Sequence, residues 1–370
     1  MCRRLHPRVV GALARDGVVT TESTESDLEG QKSYERVLCI LEVTMNTAPS
    51  KVDTVGSLGI HVEVISIQAL GAGAIAWLSV TPNAPHVVGH ECRSLRVEET
   101  GKVPILRVLH QGGAPVLLPA DLVFSGGLQT RMIARSVVIA PGSTTEVPVR
   151  CVEAGRWSSA DDSTAQTFSA SETVSVRMRR ALSRSKGKSF ISTGSYSVEQ
   201  REVWERVEGE LTGSGVSSFT SSYDHYLSDV KARQQEAVRA AEVQPPAIAN
   251  GAIVLMASGA WLEAFPSHEV LAASANGLLA DLFGKEDRLF ESDPRAAAES
   301  AVSSVLRMEA RPIERVPGTL GEPYALRAHR AYGSCLLLAG AIAHLAVGLG
   351  EEGPARPEKP TVPTRIPFSW

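Results

Sequence analysis

Apolar and polar residues alternate through 60–67 (IHVEVISI), the period of a strand with one face in a core and the other in water. Gly71 and Gly73 predict a turn, and 74–81 returns as a second strand, so the pair reads as an antiparallel hairpin. Short apolar runs at 95–98, 105–109, 116–118, 136–139 and 145–151 extend the β pattern, punctuated by Gly112-Gly113, Gly126-Gly127 and Pro141-Gly142. Proline presets its own φ and glycine accepts a positive φ, so Pro141-Gly142 suits a type II turn. If the strand ending at Ile139 pairs across that turn with the one starting at Thr145, the register extended back sets Arg131 nearly opposite Glu153.

Ser, Thr, Gly and charged residues crowd 158–195, which predicts a long exposed loop. Helices follow. Ser197 and Gln200 have the spacing of a capping box, ahead of Val203, Val207 and Leu211 on one face. Tyr223, Leu227, Val230 and Val238 predict a second helix that stops before Pro245-Pro246. A hairpin is expected from 249–255 and 259–264. Ser267 can cap a helix carrying Leu271, Leu278, Leu279 and Leu282, and Asp293 before Pro294 starts another with Ala298, Val302, Val305 and Leu306.

The run 331–350 (AYGSCLLLAGAIAHLAVGLG) approaches the ~20 residues of a membrane span. Its four glycines, His344 and the want of a second such segment favour a hairpin, with strands 334–338 and 342–347 buried on both faces. The fold class expected is α+β, a mostly antiparallel β N-terminal half followed by helices and β-hairpins packed on the sheet. Residues 1–52 read as a flexible tail, 53–350 as a single domain, and 351–370 as a Pro-rich tail.

With 43% hydrophobic and 21% charged residues among 370, the chain can bury a sizeable core. A net charge of -4 argues against a dedicated nucleic-acid binder, and five scattered cysteines suggest a reducing, cytoplasmic setting. His86 and His90 beside Glu91 have a metal-ligand spacing only if helical, and Pro82, Pro85 and Gly89 oppose a helix. Gly187-Lys188-Ser189 lacks the first glycine of a phosphate loop, since Leu182 stands there. The basic run of Arg177, Arg179, Arg180, Arg184, Lys186 and Lys188 reads as a solvated surface loop or, alternatively, a phosphate grip. No cofactor or metal is expected. No catalytic residue is identified, and whether the chain is an enzyme stays open.

The stretch 126–157 (GGLQTRMIARSVVIAPGSTTEVPVRCVEAGRW) is the richest in chemistry. Gln129, Arg131, Arg135, Glu153, Arg156 and Trp157 are the candidate ligand-binding residues: guanidinium groups suit phosphate or carboxylate, and indole offers a stacking face. The alternative is an internal ion pair that pins the hairpin to the helices. The same stretch resembles the bacterial ARG and Rhodanese-Phosphatase-superfamily-associated Protein domain, most specifically in Val147-Pro148-Val149, Cys151-Val152-Glu153 and Arg156-Trp157. The segments AIANGAIVLMASGAWLEAF and AYGSCLLLAGAIAHLAV are similar to its paired hairpins, with His344 in the place of a recurrent histidine, while Thr130 stands where asparagine is expected. The resemblance implies a role near ADP-ribosylglycohydrolases and other ADP-ribosylation-related enzymes. It points either to a domain binding an ADP-ribose-like, nucleotide or phosphorylated ligand, or to a non-catalytic scaffold beside partner enzymes.

Overall fold

The computed structural model describes residues 53–92, 94–156, 168–284 and 289–350. The tails expected at 1–52 and 351–370, and Trp157, lie outside the described residues. The fold is α+β with antiparallel sheets, as the periodicity predicts.

The largest sheet has nine strands. From one edge they run Asp53–Thr54, Glu309–Pro312, Glu322–Ala328, Ala331–Leu338, Ala341–Leu349, Gly259–Ala264, Gly251–Met256, Gly73–Thr81 and His61–Leu70. The central strands show almost unbroken burial because both faces are covered. Ile75, Trp77, Ala252 and Val254 pack into one core, while Ala76, Leu78, Ile253 and Leu255 enter a second core on the opposite face. The apolar run 331–350 is thus a sheet hairpin turning at Ala339-Gly340. No helix among the described residues is long and apolar enough to cross a membrane.

A six-stranded sheet (Phe168–Thr173, Leu122–Gly126, Arg131–Ile133, Thr144–Cys151, Ile105–His110, Leu95–Glu99) shares a core with a three-stranded one (Thr319–Leu320, Val137–Ile139, Val116–Leu118). This arrangement corrects one expectation. Val137–Ile139 does not pair with Thr144–Cys151 across Pro141-Gly142; the first joins the three-stranded sheet and the second the six-stranded one. Arg131 therefore lies opposite Cys151, two residues short of Glu153. The turn joins two layers instead of closing a hairpin, so each strand takes partners from elsewhere in the chain.

The exposed loop expected over 158–195 is a second correction. Phe168–Thr173 is a strand, and helix α1 follows at Val176–Thr193, capped by the Ser175 hydroxyl accepting from the Met178 amide at 3.0 Å. Its buried face carries Arg179 and Lys186 beside Val176, Met178 and Leu182, so charge stands where apolar periodicity would have marked a helix. Helix α2 spans Gln200–Ser214 and buries Val203, Val207 and Leu211 as expected. The capping box fails, because the Gln200 side chain instead brackets the Cys151 backbone, accepting from its amide at 2.9 Å and donating to its carbonyl at 2.7 Å. Helix α3 begins at Tyr223–Tyr226, widens into a π turn over Leu227–Lys231 and continues through Ala232–Ala240. Helices α4 (His268–Leu279, capped by Ser267) and α5 (Pro294–Leu306, capped by Asp293) begin where their caps predict.

Candidate functional site

Two buried charge clusters stand out. The first holds four of the six residues singled out from the sequence. Glu153 follows the strand Thr144–Cys151, and its carboxylate accepts from both Nε and Nη2 of Arg156 (3.0 and 2.8 Å) and from the Thr130 amide (3.0 Å). The Gln129 amide donates to the Glu153 carbonyl at 3.1 Å, and its oxygen accepts from Arg131 Nη1 at 2.9 Å. Arg131 is fully buried, with a second carboxylate, Glu99, at 3.7 Å. Burial alone would raise the Glu153 carboxyl, but the Arg156 and Thr130 hydrogen bonds hold it below its usual range. Thr130 is buried and donates from its hydroxyl to Asp224 at 2.6 Å. Arg135 stands apart and donates to the Glu314 carbonyl at 2.8 Å. The bonds of Gln129, Arg131, Glu153 and Arg156 run largely to one another, the geometry of a brace.

The second cluster is centred on Glu263, in the nine-stranded sheet. Its carboxylate receives both Nη atoms of Arg179, the Trp261 indole N–H at 3.0 Å and His344 Nε2 at 2.9 Å. A bulge makes the last contact: Leu336 pairs with His344 but Leu337 pairs with Ile342, leaving Ala343 as the extra residue. That extra residue turns His344 onto the face that carries Trp261 and Glu263. The other ring nitrogen of His344 meets the Ser136 hydroxyl at 2.8 Å, and the Ser136 oxygen accepts from the Ala120 amide at 2.9 Å.

Arg179 comes from the first turn of α1, and its guanidinium lies 4.5 Å over the Trp261 ring. Two helical turns on, Lys186 donates to Asp121 at 2.8 Å, and Asp121 also lies 3.9 Å from Arg179 Nε. Asp121 sits at φ 67°, a left-handed conformation that aspartate tolerates better than most residues. Two carboxylates thus balance two cations inside the fold, as buried charge requires. Burial would raise the Glu263 carboxyl; Arg179 and the His344 hydrogen bond overcome that and hold it far below the usual carboxylate range.

Beside this pair opens a cavity of about 310 Å³. Its polar wall includes His90, Glu91, Glu172, Arg179 and Glu263, and its apolar wall includes Pro119, Phe265 and Leu278. None of the five described residues among those proposed from the sequence (Gln129, Arg131, Arg135, Glu153 and Arg156) lines it. The sequence did offer weak signals: Glu263 is a lone carboxylate in an apolar strand, and His344 a lone imidazole in an apolar run. Arg179 and Lys186 were hidden inside a run that read as surface.

Ser136, His344 and Glu263 have the connectivity of a hydroxyl, base and acid in series. The Ser136 hydroxyl and His344 are buried outside the cavity lining, so the chain serves to hold Glu263 in place. Among the described residues no three His, Cys, Asp or Glu side chains converge to hold a metal ion.

No curated protein and no solved structure matches the chain significantly. A family model does, over residues 87–347, a span that includes both charge clusters and every cavity residue named above. The name of that family records an association with ADP-ribosylglycohydrolases and rhodanese-phosphatases. On that match the chain belongs to the ARG and Rhodanese-Phosphatase-superfamily-associated Protein domain family.

Proposed function

We propose that this domain binds a compact polar small molecule in the cavity beside Arg179 and Glu263. The observation that carries the reading is the cavity itself, set against a charged pair fixed on every side. At about 310 Å³ it sits at the lower end of the ~300–1,000 Å³ usual for ligand pockets, room for one ring or short chain. A whole ADP-ribose would have to extend beyond it. Phosphate recognition of the kind implied by the family resemblance would instead draw on Arg131, Arg135 and Arg156, and needs those groups to exchange internal partners for ligand oxygens.

Ligand-observed NMR with a panel of small polar fragments tests the cavity reading. Fragments should bind the full chain at millimolar concentration, and Ser274→Trp, a substitution at a residue of α4 that lines the cavity, should fill the space and abolish the signal. Persistent binding in that variant would move the site elsewhere. Titration with ADP-ribose in parallel, on the wild type and on Arg156→Ala, tests the phosphate reading.

The scaffold reading is favoured by a separate observation, that the stretch carrying the family resemblance spends its polar groups on internal bonds. It requires no ligand, and co-purification with an ADP-ribosylglycohydrolase that survives Ser274→Trp would support it.

A further inference from the structure

The ligand reading leaves open which chemical class the cavity accepts, and its charge distribution narrows that. Among the described residues that line the cavity Arg179 is the only arginine or lysine, and it is committed: both its Nη atoms go to Glu263 and its flat face lies on Trp261. A phosphate or carboxylate guest would have to displace a buried, charge-assisted pair to reach it. Two further carboxylates line the same space. Glu91 is half-exposed, with His90 at 3.7 Å. Glu172, on the strand Phe168–Thr173, receives no hydrogen bond or ion pair from the described residues.

Gly277 of α4 leaves room for this carboxylate: a methyl group there would meet Glu172 Oε2, the far end of a flexible side chain, and displace it. Glycine inside a helix is unfavourable relative to alanine, which makes the vacancy a feature with a cost. The nearby Lys231 donates to the Thr173 carbonyl at 2.7 Å, and burial pushes its pKa down despite Asp281 and Glu172. Phe265, Leu278 and Pro119 supply an apolar wall for a carbon stem.

We propose that the cavity is a site for a small organic cation, an ammonium or guanidinium group on a short apolar stem, with the charge meeting Glu172. This rests on the cavity reading above and specifies its ligand class.

The test uses four probes of matched size, n-butylammonium, n-butylguanidinium, n-butanol and n-butyrate, titrated into the full chain by ligand-observed NMR. Both cations should bind, with the alcohol and the anion at least about tenfold weaker. Glu172→Gln should weaken the cations by about tenfold and leave the alcohol unchanged. Gly277→Ala should weaken them too, through displacement of the carboxylate, in a chain whose circular dichroism matches the wild type. If butyrate or butanol binds as well as the cations and Ser274→Trp abolishes it, the cation assignment is overturned while the cavity reading stands. If no probe binds, both fall.

Discussion

Around Glu153 a carboxylate, two guanidinium groups and an amide meet through short bonds, and none of them borders the cavity. Around Glu263 the pairing is equally complete, yet the Arg179–Glu263 pair forms one wall of a cavity of about 310 Å³. The difference teaches that a run of polar residues in sequence is poor guidance to an open site. In the first cluster most of the bonds run between two short segments, 129–131 and 153–156, with Glu99 and Asp224 joining from outside them. In the second they come from residues 121, 179, 186, 263 and 344, so four separate segments must be brought together, and the cavity opens beside the Arg179–Glu263 pair.

Removing the central carboxylate should separate the two clusters most sharply. Glu263→Ala leaves Arg179 buried beside one distant carboxylate, and should cost about 3–5 kcal/mol in urea unfolding. Glu153→Ala strips acceptors from Arg156, itself part-exposed, and from the Thr130 amide, and should cost about 1–3 kcal/mol. Equal losses would mean that the two clusters are stabilised alike.

Acid sharpens the same contrast. Both carboxyls lie below their ordinary value of 4.5 in the fold, so the stability they supply is present above that pH and lost as pH falls through the folded value. Glu263→Gln should therefore flatten the acid limb of stability below about pH 4.5 more than Glu153→Gln does. The smallest effect is expected at the far end of the chain of bonds. Ser136→Ala removes the hydrogen bonds to His344 and to the Ala120 amide, and a loss of about 1–2 kcal/mol should appear in the same unfolding experiment.

Much of the architecture was legible in the sequence because periodicity survives wherever packing is apolar. The hairpins His61–Leu70 with Gly73–Thr81, Gly251–Met256 with Gly259–Ala264, and Ala331–Leu338 with Ala341–Leu349 fall where alternation or continuous burial places them. The caps at Ser267 and Asp293 are equally local. What escaped is non-local. Helix α1 read as loop because its inner face carries Arg179 and Lys186, whose neutralising partners lie at Glu263 and Asp121. The register of Arg131 escaped because Pro141-Gly142 passes the chain between sheets. The candidate site was legible only in part for the same reason: Gln129, Arg131, Glu153 and Arg156 do assemble, but Arg135 donates to the Glu314 carbonyl and the cavity is walled by other described residues.

The strand Ala341–Leu349 is the last described in the chain, yet it lies inside the nine-stranded sheet, between Ala331–Leu338 and Gly259–Ala264. During synthesis the halves of that sheet cannot join until this strand has left the ribosome. Nascent chains shorter than that must wait with bare strand edges, the condition under which chaperones engage and aggregation begins.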